Sequence, residues 1–161
     1  MKKINLAITG CMGRMGQQLI KSSKSNNNFR LVALTENRII NKKFNGIKPE
    51  SNTDKAFEKT DVIVDFTVPK CTMEILKIAS KLKKKVVIGT TGFSSKEEKI
   101  IKNYSKKIPN LKVWQDDTRI FYKECISISN YFDVSLVINA LLAISLTCFL
   151  WIALTESYPF L

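Results

Sequence analysis

The sequence predicts an α/β fold on a parallel sheet. Short apolar runs stop abruptly at glycine, hydroxyl or carboxylate residues; the first, third and fourth are followed by apolar residues at helical spacing; and the two patterns alternate as far as residue 114. Residues 3–9 read as a buried strand ending at Gly10, and Met15, Leu19 and Ile20 give the next helix its apolar face until Asn26-Asn27-Asn28 closes it. Residues 30–35 form a second strand, finishing at Glu36, and residues 37–53 have no clear period and read as an irregular loop. Asp61–Phe66 is a third strand, after which Thr67-Val68-Pro69 opens a helix carrying Ile75, Ile78, Ala79 and Leu82. Residues 86–88 form a fourth strand ending in Gly89-Thr90-Thr91-Gly92. Ser94 or Ser95 then caps a helix with Glu97 or Glu98 three residues on, and Ile100, Ile101, Tyr104 and Ile108 supply its buried face. A fifth strand is expected over 111–114. Right-handed crossovers between such units give a Rossmann-type doubly wound parallel sheet.

Composition narrows the function classes. The chain has 161 residues, 45% of them hydrophobic, which is enough to bury the core of one ordinary domain. Its four cysteines, Cys11, Cys71, Cys125 and Cys148, form no CxxC pair, so neither a zinc site nor a disulfide framework is expected, and a reducing cytoplasm is the default setting. No signal peptide is expected at the start, where Met1-Lys2-Lys3 precedes only a short strand. With no histidine, the chain cannot supply an imidazole acid or metal ligand, and no metal site is expected. The net charge of +12 raises nucleic acid as a partner. The scattered lysines, and a run at Lys81 and Lys83–Lys85 without interleaved aromatics, point instead to a solvated face, with attraction for anionic nucleotides or diacids. No nucleic-acid binding is expected.

In an open parallel sheet, ligands bind beyond the carboxyl ends of the strands. Here every such end is glycine, hydroxyl or acid. Gly10-Cys11-Met12-Gly13-Arg14-Met15-Gly16 follows the first strand and opens a helix with GxxGxxG spacing, which lets bare backbone amides approach a pyrophosphate. The alternative is a glycine-rich turn that binds nothing. Glu36 lies twenty residues beyond Gly16, where a carboxylate accepts from both ribose hydroxyls of a dinucleotide; otherwise it is an ordinary loop acid. Arg14 either pairs with a phosphate or extends along the surface. Thr90 and Thr91 either hydrogen-bond a nicotinamide ribose or substrate carboxylate, or simply terminate their strand.

Taken together, ITGCMGRMG near the start, DFTVP at 65–69 and VVIGTTGF at 86–93 resemble, in order and separation, the signature segments of the 4-hydroxy-tetrahydrodipicolinate (dihydrodipicolinate) reductase family. The resemblance implies an NAD(P)-binding domain over residues 1–114. Within it, Gly10, Gly13, Arg14, Met15 and Gly16 hold the pyrophosphate of NADH or NADPH, and Glu36 holds the adenosine ribose. Phe66, Gly89, Thr90 and Thr91 complete the cofactor set, and Thr91 and Gly92 lie by the substrate. It further implies hydride transfer to a small cyclic dicarboxylate in the diaminopimelate route to lysine, by cytoplasmic homotetramers. Some family members carry an arginine directly after the ribose-binding acid, suited to a 2'-phosphate; here Asn37 holds that position and Arg38 the next, a lean toward NADH.

The family's second domain supplies a histidine pair, a lysine and an SGT segment, and none of these is present here. No catalytic residue is therefore assigned, no turnover is expected from this chain, and a substrate domain would have to come from elsewhere. A non-catalytic nucleotide-binding module is the alternative reading. Agreement with the family stops abruptly near residue 113, as a truncated, diverged or frame-slipped chain would show. Residues 115–133 read as an irregular linker. Residues 134–155 are a charge-free run of 22, about 33 Å as a helix, which suits either a membrane anchor with the nucleotide domain on the cytoplasmic side or a helix buried in packing.

Overall fold

The structure, a computed structural model, describes residues 3–108 and 111–113. The linker expected over 115–133 and the hydrophobic helix expected over 134–155 lie outside the described residues. Five strands, β1 (Ile4–Thr9), β2 (Phe29–Thr35), β3 (Val62–Asp65), β4 (Lys85–Ile88) and β5 (Lys112–Val113), form one parallel sheet in the order β2-β1-β3-β4-β5. Four helices connect them: α1 (Arg14–Ser25), α2 (Asp54–Phe57), α3 (Pro69–Leu82) and α4 (Ser95–Ser105). The chain leaves β1 toward β2 on one side and returns to β3 on the other, so the strand order reverses between β1 and β3.

Alternation along the central strands feeds two cores. Leu6 and Ile8 of β1, with Val62 and Val64 of β3, pack on Leu19 and Ile20 of α1. Ala7, Ile63, Val86 and Ile88 point the opposite way, onto Ile75, Leu76 and Ala79 of α3 and Ile101 of α4. Both faces are thus covered, which is why these strands read as near-continuous apolar runs. Among the described residues no helix is long and apolar enough to cross a membrane.

Several local details depart from expectation. The loop after β2 contains a two-residue turn, Asn45-Gly46, with both residues at positive φ and Phe44 bonded to Ile47 across it. Thr53 caps the short helix α2 through Ala56 N–H, a segment the periodicity passes over. Ile100 is exposed, and Ile108 is buried but lies beyond the end of α4, so the helix contributes mainly Ile101 and Tyr104 to the core. The lysine run is partly structural: Lys81 pairs with Asp54, Lys83 ends α3 in a left-handed conformation, and Lys84 Nζ donates to Glu58 O at 2.7 Å.

At α4 the capping box uses Ser94 and Glu97: the Ser94 hydroxyl accepts from Glu97 N–H, and Ser94 N–H donates to Glu97 Oε2 at 2.8 Å. The Ser94 backbone N–H, reinforced by its hydroxyl, holds the Glu97 carboxyl below its ordinary range. A carboxylate depressed by folding stabilises the fold only while ionised, so this cap is intact above the usual carboxylate range and is lost as pH falls through the folded value. Amide exchange at Ser94 should therefore speed up, relative to the intrinsic rate, between about pH 6 and pH 3. Glu97→Gln should remove that pH dependence.

Candidate functional site

The polar ends of β1, β2 and β3 surround a crevice of about 280 Å³ whose lining includes Gly10, Gly13, Glu36, Phe66, Thr67 and Val68. That volume suits a nucleotide-sized part of a ligand, with the remainder lying along the strand ends. Gly10 turns the chain out of β1 at φ +62, and a side chain there would stand 2.8 Å from Thr67 Cγ2. The turn then runs into α1, where Gly16 is buried against the loop backbone.

Glu36 faces the glycine loop. Its Oε2 accepts from Met12 N–H at 3.0 Å and its Oε1 from Asn37 N–H at 3.0 Å. Cys11 N–H donates to Thr35 O at 3.2 Å, so the end of β2 holds the loop at two points. Gln17 Nε2 supports it from α1 by donating to Cys11 O at 2.5 Å. Burial, assisted by the nearby Glu36 charge, pushes the Cys11 thiol up to about 11, so this loop cysteine is a packing group and not a nucleophile at neutral pH.

Helix ends divide by location. Thr53 and Ser94 cap α2 and α4 with side-chain hydrogen bonds. In contrast, α1 begins at Gly13 and α3 at Val68, both on the crevice wall, with no side-chain cap and no acid in the first turn. The first amides of such helices lack intrahelical partners and attract anions.

The residues expected at the site separate into groups. Gly10, Gly13, Glu36 and Phe66 line the crevice. Arg14 is exposed at the start of α1, and Met15 turns its side chain into the α1 core, so that its backbone is the part at the helix end. Gly89 lies under Phe66, whose ring fills the space a side chain at 89 would take. Thr90 is 2% exposed with its hydroxyl turned inward, while Thr91 and Gly92 are exposed beyond β4.

Other residues went unnoticed in the sequence. Thr35 and Asn52 line the crevice, each with a buried side-chain oxygen that has no hydrogen-bond partner, a condition that costs about 1–3 kcal/mol when nothing relieves it. Nothing in the local sequence marks either. Thr9, Asp65 and Thr72 form a buried polar cluster with Thr67 and Thr90 directly beneath the strand ends.

Known proteins resemble this chain over about its first two thirds. Residues 4–114 match the family model described as dihydrodipicolinate reductase, N-terminus. A 4-hydroxy-tetrahydrodipicolinate reductase of Pelagibacter ubique is 72% identical over 112 residues, covering 70% of this chain and 43% of that protein. One of Bdellovibrio bacteriovorus is 40% identical over 111 residues, covering 69% and 44%. The chain thus spans less than half the length of these relatives. Among solved structures, a dipicolinate-bound dihydrodipicolinate reductase from a Paenisporosarcina species aligns with a TM-score of 0.52 and 26% identity, over 62% of this chain and 42% of that one. A Synechocystis biliverdin reductase in complex with biliverdin and NADP+ aligns with a TM-score of 0.57 at 17% identity, over 68% and 37%, a likeness of fold alone.

Proposed function

The chain belongs to the dihydrodipicolinate reductase family through the N-terminal domain that residues 4–114 match, and from that premise we propose that it binds a reduced nicotinamide dinucleotide along the ends of β2, β1 and β3. The observation that carries this reading is the pairing of an uncapped, glycine-bounded helix end at α1 with the Glu36 carboxylate 3.0 Å from the loop amide of Met12. The first suits a diphosphate, the second a ribose diol. Residues 10–16 would hold the diphosphate, with Arg14 free to reach it from the surface. A bound reduced nicotinamide supplies a hydride; this chain's residues orient the dinucleotide and keep its sugar fixed.

NADH is the preferred form in this reading. A 2'-phosphate would bring its charge against Glu36, and Asn37 offers no compensating cation. The reaction served is the reduction of a cyclic dicarboxylate in the diaminopimelate route to lysine, with Thr91 and Gly92 beside the substrate and the acid chemistry and remaining carboxylate contacts supplied by groups outside the described domain.

Calorimetric titration with NADH and NADPH beside a reductase assay tests the proposal. Binding of NADH in preference to NADPH, without turnover by this chain alone, is the expected result. Absence of affinity for both nucleotides overturns it.

A further inference from the structure

Asp65 is the one charged side chain that is fully buried among the described residues, at 0% exposure. Its carboxylate accepts from four threonine hydroxyls: Thr9 at 2.7 Å and Thr67 at 2.6 Å on Oδ1, and Thr72 at 2.6 Å and Thr90 at 3.4 Å on Oδ2. Each donor comes from a different segment. Thr9 ends β1 immediately before the glycine loop; Thr67 lies on the crevice wall between β3 and α3; Thr72 is in the first turn of α3; Thr90 follows β4. The Thr90 hydroxyl also accepts from Thr67 N–H at 2.9 Å, which ties the segment after β4 to the segment after β3.

An apolar side chain would fill this position at lower cost than a buried carboxylate, since taking a charge out of water is unfavourable even when it is well bonded. What the carboxylate adds is position. With the adenosine ribose at Glu36 beyond β2 and the diphosphate at the loop after β1, a dinucleotide continuing in the same direction reaches the ends of β3 and β4, strands spaced about 4.8 Å apart. Those are the ends that Asp65 fixes.

Resting on the proposed cofactor reading, we infer that Asp65 is a positioning residue for the nicotinamide ring of the dinucleotide: by holding Thr67 and Thr90 it sets the floor on which Phe66 and the Gly89–Gly92 segment meet that ring. The adenosine half, held by Glu36 and the α1 end, does not depend on it. An asparagine at 65 has one oxygen in place of two, so one of the two hydroxyl pairs necessarily loses its acceptor.

The test is titration of the wild-type chain, Asp65→Asn and Thr90→Val with NADH and with ADP-ribose, which is the same dinucleotide scaffold, both riboses included, without the nicotinamide ring. The wild-type chain should bind NADH more tightly than ADP-ribose. Both variants should lose about tenfold in NADH affinity while ADP-ribose affinity stays within about twofold. A purely structural role would weaken both ligands together, and that result, or unchanged NADH affinity in the variants, overturns the inference. Should Asp65→Asn fail to fold by circular dichroism, Thr90→Val, which removes the longest of the four bonds and the acceptor of Thr67 N–H while keeping the shape, decides. A wild-type chain that binds ADP-ribose as tightly as NADH defeats the inference alone, whereas one that binds neither ligand defeats the cofactor reading beneath it.

Discussion

Gly16→Val is expected to unseat α1 and abolish nucleotide binding. A side chain at 16 would overlap the carbonyl oxygen of Gly10 and stand 2.7 Å from Cys11 Cα. These are backbone atoms of the loop itself, so no rotamer change relieves the clash; either the loop or the helix must move. Overpacking typically costs about 1–3 kcal/mol, and a clash against backbone belongs at the upper end, a large part of the roughly 5–15 kcal/mol that holds a domain together. Thermal unfolding should show a fall in Tm of roughly 10–20 °C. Gly13→Ala, whose added carbon would lie 3.2 Å from Gly10 O, is the graded comparison and should lose much less stability. A valine variant as stable as wild type would mean that the close approach of α1 to the loop is wrongly drawn.

The second large effect is expected at Glu36. In Glu36→Ala the ribose diol loses its acceptor, and Met12 N–H loses the carboxylate that fixes the loop. Hydrogen bonds to charged groups contribute about 1.5–3 kcal/mol, so NADH affinity should fall by about 10- to 100-fold. NADPH affinity should fall less, because removing the carboxylate also removes its repulsion of a 2'-phosphate, and the gap between the two nucleotides narrows. Parallel calorimetric titrations measure both. Unchanged NADH affinity in this variant would take the ribose away from Glu36.

Sequence pattern and structure agree where side chains repeat at the period of their element. Leu6 and Ile8 on one face of β1 and Ala7 on the other, or Ile75 and Ala79 along α3, announce themselves because a buried strand or helix face must be apolar at fixed spacing. The glycine segment and Glu36 were legible for a related reason: both lie at the carboxyl ends of recognisable strands, and the acid does face the loop. The Asn45-Gly46 turn carried its own signal, but flanking polar residues hid the short pairing it closes. Ile100 misled because helical spacing continues through a residue that no neighbouring element covers.

Asp65 was the hardest to foresee. An acid at the end of an apolar run ordinarily marks the point where a strand meets water, and its four threonine partners lie at positions 9, 67, 72 and 90, unrelated by any sequence period. The β1–β3 pairing brings Thr9 to Asp65 and the β3–β4 pairing brings Thr90. Thr90 shows the same limit from the other side: its place in the GTTG segment suggested contact with a ligand, whereas its hydroxyl belongs to the protein interior.

The two helices that begin at the crevice without side-chain caps give a ligand a part in the architecture. Any anion that settles there finishes hydrogen bonding that the chain leaves open at α1 and α3, so occupancy and rigidity become one linked quantity. Selection for a sturdier domain and selection for a receptive one would therefore pull residues 13 and 68 in opposite directions.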